Sequence, residues 1–202
     1  MRLDHLVICV PDLDEAGRAF ESAHGLVSTS GGRHRGHGTS NRIIPLGDAY
    51  LELVSVVDSE EASESQFGSW VAENSKVDHA VAGVCLRTES VSLVAEKLGL
   101  TMTSMNRVRP DGFTLAWRTA GIERLVADGF PFFIEWEVPE DQLPGRSPVA
   151  HPAGVVERVS LTMTGDTRLL GPWIQGASEV TVEEGRRSNR VQIQTRSRLI
   201  EI

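Results

Sequence analysis

Three carboxylates sit in the middle of apolar, strand-like runs: Glu52 in YLEL, Glu135 in FIEW and Glu201 in LIEI. A charged side chain is rarely placed in such a run unless it meets water, an ion partner or a metal, so each of the three needs one of these. Glu201 lies at the chain end, where full solvation is open to it. His5 adds an imidazole to the opening run LDHLVICV, and the glycine-rich stretch GGRHRGHGTSNR carries His34 and His37. The glycines exclude a helical metal pair, and a local metal site in so flexible a stretch would be weak. It reads instead as a cavity rim, with Asn41 and Arg42 entering the next strand within reach of an acidic or carbonyl substrate. His151 before Pro152 reads as structural or rim, and His24 before Gly25 as a helix C-terminal residue favourable to the dipole. Other catalytic templates are absent: there is no GxSxG elbow, no phosphate loop, no HExxH and no dinucleotide fingerprint after the first strand.

The elements that would position these side chains recur along the chain. LDHLVICV is rich in aliphatic and β-branched residues and reads as a strand. Pro11 and Asp12 break it, Asp14 can cap a helix through Ala16, Ala19 and Phe20, and Gly25 stops that helix. IIPLG and AYLELVSV follow as two strands parted at Gly47-Asp48. The order then repeats: AGVCLR as strand, a helix that Ser90 can cap and Gly99 stops, and the strands TMTSMNRV, TLAWRTAG and PFFIEWEV. A third, shortened copy reads as strand, a short helix interrupted at Gly171-Pro172, and alternating strands to the end.

These copies give an α+β protein of paired βαβββ modules, with boundaries at 1–57 and 78–139 and a shortened module at 155–202. Between them lie an acidic, serine-rich linker at 58–77 and a proline-rich one at 140–154. Strand alternation groups Leu3, His5 and Val7 on one face, Tyr50, Glu52 and Val54 on another, and Phe133, Glu135 and Glu137 on a third. If the modules pair into one curved sheet, His5, Glu52 and Glu135 could converge in its cavity.

At 202 residues the chain can bury a sizeable core, and 28 acidic against 20 basic residues leave a net charge of −8. That balance argues against a nucleic-acid or anionic-membrane surface, both of which need clustered Lys and Arg. The basic tract GRRSNR at 185–190 reads as solvated hairpin charge rather than a phosphate site. No apolar run is long enough to span a bilayer, and the N-terminus shows neither an apolar h-region nor a cleavage site, so the expected location is cytoplasmic. Cys9 and Cys85 each lie inside an apolar run and read as buried thiols rather than a disulfide.

LDHLVICVPDLDEA, GGRHRGHGTSNR, GDAYLELVSV and PFFIEW followed by AHPAG resemble, in that order, the glyoxalase-like branch of the vicinal oxygen chelate superfamily. The resemblance implies paired βαβββ modules curved around a cavity. In metal-dependent members it also implies a divalent ion held by a first-strand His and a last-strand Glu from each module. On this chain those positions are His5, Glu52 and Glu135. Val81 stands opposite His5, so the second His is missing unless His79, two residues earlier, supplies it. Imidazole with carboxylates suits Mn, Fe, Co, Ni or Zn, and Glu52 or Glu135 would serve as the catalytic base. Tyr50, Trp117 and Phe133 would line the pocket beside Asn41 and Arg42.

The expected function is thus a metal-dependent lyase, isomerase or dioxygenase acting on a small oxygenated molecule. The alternative is a metal-free ligand-binding or resistance-type protein of the same fold. A homodimer is the expected assembly, because edge strands are seldom left bare.

Overall fold

The computed structural model describes residues 1–76, 80–109 and 111–202. The chain opens with β1 (Arg2–Cys9), α1 (Leu13–His24), β2 (Thr29–His34), β3 (Thr39–Pro45) and β4 (Tyr50–Val56). The cap of α1 is Asp12, whose carboxylate accepts the Glu15 N–H; the expected cap, Asp14, falls inside the first turn and pairs with Arg42 instead. Gly25 ends α1 at φ 64°, the left-handed conformation that costs a glycine little. The glycine-rich stretch expected as a loop is half strand, since β2 runs to His34 before the chain turns back into β3.

The order then returns as β5 (Val81–Arg87), α4 (Val91–Leu98), β6 (Met102–Val108), β7 (Thr114–Ala120), α5 (Ile122–Asp128) and β8 (Phe132–Trp136). α5 is an addition to the expected pattern. Between the two groups, the acidic and serine-rich segment is not a bare linker. It folds as α2 (Ser59–Ser63) and α3 (Gln66–Asn74), because Asp58 and Ser65 each accept a first-turn N–H as caps.

Eight strands form one mixed sheet in the order β2-β3-β4-β1-β5-β8-β7-β6. β1 runs parallel to β4, β5 runs parallel to β8, and the halves join through the antiparallel β1–β5 pair. The sheet curls until its edges meet. A Cβ added to Gly32 on β2 would stand 2.7 Å from Cδ of Arg107 on β6, so only a glycine admits that approach.

The last third builds a second sheet from β9 (Val156–Gly165), β10 (Val180–Glu184), β11 (Ser188–Thr195) and β12 (Leu199–Glu201), with the short α6 (Thr167–Leu170) after β9. Its order is β10-β9-β11-β12, with β9 parallel to β10 and antiparallel to β11. It packs on the convex face of the large sheet, where Leu161, Met163 and Ile193 share one core with Leu6, Leu86 and Phe133. A second core lies on the concave side and contains Val7, Cys9, Val54, Cys85 and Trp117. Cys9 and Cys85 are free and buried.

Candidate functional site

The site begins with an irregularity in β1. Leu3 pairs with Leu86 and His5 with Cys85, which leaves Asp4 as an extra residue in a β-bulge. A bulge breaks strict alternation and re-aims the side chains beside it. Leu3, expected on the face of His5, therefore packs in the convex core, while His5 turns to the concave side. Asp4 Oδ1 lies 2.7 Å from His5 Nδ1, and Trp136 Nε1 donates to Asp4 Oδ2 at 2.9 Å. Both residues are almost wholly buried, at 2% and 4% exposure. The His5 ring is held between a stacked Tyr50 at 4.6 Å and an edge contact with Phe132 at 5.4 Å.

Across from His5 stands Glu52, two residues along β4 from Tyr50 and on the same face. Its Oε2 is 3.6 Å from His5 Nε2, and its Oε1 is 3.6 Å from His34 Nε2. The amide of Asn41, on neighbouring β3, donates to Glu52 Oε1 and also lies 3.2 Å from His34 Nε2. Burial pushes the His34 imidazole toward its neutral form, against the pull of the Glu52 charge. Burial likewise keeps the Tyr50 phenol protonated and, with Glu52 adding, raises Cys9 to about 12.

These groups line one end of a cavity of about 120 Å³. Its walls are largely apolar, with Met105, Trp117, Ile122, Phe132 and Ile134 among them. Phe67 of α3 closes one side, against the edges of His34 and His37. Ser65 ties this cover down, because its hydroxyl caps α3 and lies 2.7 Å from His37 Nδ1. Arg107 enters from β6, 7% exposed, and Nη1 of its guanidinium has no hydrogen-bond partner among the described residues.

Of the residues singled out in the sequence, His5, Asn41, Tyr50, Glu52 and Trp117 come together here. Three others do not. Glu135 sits on the opposite face of β8, where Oε2 accepts the Val91 N–H of α4 at 2.8 Å and Oε1 pairs with Arg118. Phe133 shares that outer face and stacks on Trp173 at 5.8 Å. The residues of β8 that do line the cavity are Phe132, Ile134 and Trp136; a one-residue offset exchanges the faces of a strand. Arg42 points outward to Asp14 and Ser28, the other side from Asn41. His79 lies outside the described residues. His151 is structural, accepting the Val27 N–H at 3.0 Å and lying 2.7 Å from the Pro45 carbonyl. Glu201 is exposed beside Gln192.

Asp4 and Arg107 were missed, and His34 was read only as part of a cavity rim, which it shares with His37. His34 was legible as the last residue of a strand pairing with the one that holds Asn41, had the two glycines before it not suggested a loop. The alternation of Thr103, Met105 and Arg107 marks one face of β6 but does not say which side that face takes.

The glyoxalase-like domain family matches residues 3–173. The chain belongs to that family. With it comes the vicinal oxygen chelate superfamily, whose paired modules are the ones described above. None of the curated proteins matches the chain. Among solved structures, a hypothetical protein from Staphylococcus aureus is similar over 99% of this chain and 98% of its own, with a TM-score of 0.68 and 15% identity. A variant of Streptomyces coelicolor methylmalonyl-CoA epimerase in complex with 2-nitronate-propionyl-CoA is similar over 68% of this chain and 99% of its own, at TM-score 0.50 and 17% identity. At such identities the likeness is one of fold.

The superfamily raises the question of a metal, and the donor atoms answer part of it. His5 Nε2 and Glu52 Oε2 both face the cavity, and Asp4 on His5 Nδ1 is the outer carboxylate that metal-ligating histidines usually carry. These donors fit a divalent cation, with His34 on the far side of the Glu52 carboxylate. Asp4, His5 and Cys85 also bring one donor each within 4.8 Å. There, Asp4 already serves His5 and Trp136 through its two oxygens.

Proposed function

We propose that the cavity is the active site of a glyoxalase-like enzyme that moves a proton on a small oxygenated molecule, with Glu52 as the base and His5 beside it. The observation that carries this reading is the buried line Asp4–His5–Glu52 at one end of an otherwise apolar cavity. The Asp4 carboxylate engages Nδ1 of His5, which leaves Nε2 facing the cavity. Asn41 holds Glu52 by Oε1, leaving Oε2 open to take a proton from a carbon next to a carbonyl. A divalent ion of the Mn, Fe, Co, Ni or Zn type would be held by His5 and Glu52 with His34 adjoining and would supply polarisation of neighbouring substrate oxygens, Glu52 acting as base only where Oε2 is free of the ion. The apolar walls limit water around the reacting atoms and strengthen every charge interaction there. The volume bounds the substrate: a cavity of about 150 Å³ holds benzene, and this one, at about 120 Å³, holds a molecule or acyl group of similar or smaller size.

A second reading, a metal-free protein that binds a ligand in the same cavity, draws on one observation. The Asn41 amide already occupies Glu52 Oε1 and adjoins His34 Nε2, so two donors rather than three stand open.

Elemental analysis of the purified protein, with titration of Mn²⁺, Co²⁺, Ni²⁺ and Zn²⁺ into wild type, His5→Ala and Glu52→Ala, separates the two. Saturable binding in the wild type that both variants lose supports the metal site; none at all leaves the second reading. For the chemistry, exchange of the α-proton of small carbonyl compounds into D₂O is followed by NMR. Glu52→Gln is expected to lower exchange by about 10²–10⁴-fold. Undiminished exchange in that variant would remove Glu52 as the base.

A further inference from the structure

Arg107 carries a charge that the chemistry above does not use. It lines the same cavity as His5 and Glu52, and its Nη1 is both shut off from solvent and without a hydrogen-bond partner among the described residues. Its stem crosses β2 at Gly32, where an added Cβ would stand 2.7 Å from Cδ and 3.3 Å from Nη1. A guanidinium keeps its proton in proteins and offers five donors in a planar fork. A buried guanidinium N–H left without an acceptor is unfavourable, so Nη1 points to an acceptor that arrives from outside.

The neighbours do not supply that acceptor. Glu52 gives Oε1 to Asn41 and turns Oε2 toward His5. Tyr50 is stacked on the His5 ring, and His34 is engaged by Thr39 and Asn41. The remaining walls are mostly apolar or aromatic, Met105, Trp117, Ile122 and Phe132 among them, and the hydroxyls of Thr103 and Thr119, which also line the cavity, give Arg107 Nη1 no hydrogen bond.

We propose that Arg107 is the anion-recognition residue of this site, and that the ligand is a small carboxylate whose oxygenated, uncharged end lies against His5 and Glu52. This rests on the cavity being the binding site proposed above, and it names the class of molecule that enters. The orientation follows from charge. A carboxylate turned toward Glu52 would meet a like charge among apolar walls, whereas at Arg107 it meets the fork that matches its geometry. A short apolar chain between the two ends suits the aromatic walls. A single guanidinium beside Glu52 suits a monoanion better than a phosphate dianion.

The test is an NMR titration of the full chain with propionate, its neutral isostere propionamide, and inorganic phosphate. Propionate is expected to bind saturably and about tenfold or more tighter than propionamide. Arg107→Met is expected to abolish that preference, and Arg107→Lys to keep part of it. Circular dichroism and Tm verify folding; removing an unpaired buried charge is expected not to lower Tm. Equal binding of propionate and propionamide by the wild type, no binding of either, tighter binding of phosphate, or a preference that survives in Arg107→Met would each overturn the proposal. The wild-type comparison decides even if Arg107→Met does not fold. The outcome is separable from that of the enzymatic reading. A carboxylate preference without proton exchange in the wild type leaves the anion site and removes the enzyme, and exchange without the preference does the reverse.

Discussion

Asp4 and Glu135 show how differently two carboxylates of the same chain are used. Asp4 touches no part of the cavity, yet through the 2.7 Å contact with Nδ1 it sets which nitrogen of His5 faces inward. Under the proposed metal reading, Asp4→Asn is therefore expected to weaken metal binding about 10–100-fold with the fold intact, as outer partners of ligating histidines do, measured by competition with a chromogenic chelator. Glu135 has no such part. It accepts the Val91 N–H in the first turn of α4, where a negative charge also complements the helix dipole. Glu135→Gln is expected to leave metal binding and proton exchange unchanged and to cost about 1 kcal/mol of stability in urea unfolding. Loss of metal affinity in that variant would restore it to the site.

At the scale of elements, the cover formed by α2 and α3 depends on charge. Asp58 accepts the Glu61 N–H as cap of α2, and that bond first, then Arg33, holds its carboxyl below the ordinary range. Arg33, with the Gly36 N–H, does the same for Glu61. A carboxyl whose folded pKa is depressed contributes stability above its unfolded value and loses it as pH falls through the folded one. The cover is thus expected to be tight above about pH 5 and to loosen progressively below about pH 4. Hydrogen exchange of residues 59–74, compared at pH 5.5 and pH 3.5 after correction for intrinsic rates, tests this; unchanged protection relative to β1 would contradict it.

For the molecule as a whole, the second sheet and the large sheet share one core, with Leu161 at 1% exposure packed among residues of both. Leu161→Ala is expected to cost about 2–5 kcal/mol and to lower the stability of the entire chain, because the cavity it leaves opens between the two sheets. Unfolding followed by tryptophan fluorescence and by far-UV circular dichroism is expected to give one coincident transition. Separate transitions would show two independent units. Among the described residues no helix is long and apolar enough to cross a membrane.

The sequence by itself determined the α+β order, the repeat and half of the residues that line the candidate site. Local signals suffice for these: β-branched runs, helix stops at glycine, and a histidine and a glutamate set in apolar strands. Asn41, Tyr50 and Glu52 were legible because two short strands of one module alternate cleanly, and His5 because it is the one histidine in its apolar run. Tertiary structure decided the rest. Glu135 matched Glu52 in its run but lies one residue out of phase, and only the pairing of β8 with β5 and β7 says which face looks inward. The bulge at Asp4 leaves no mark in composition, and Arg107 meets Gly32 only because the sheet curls until its first and last strands touch. Register and closure are properties of strands far apart in the chain, so a residue's neighbours in sequence cannot fix which side of the sheet it serves.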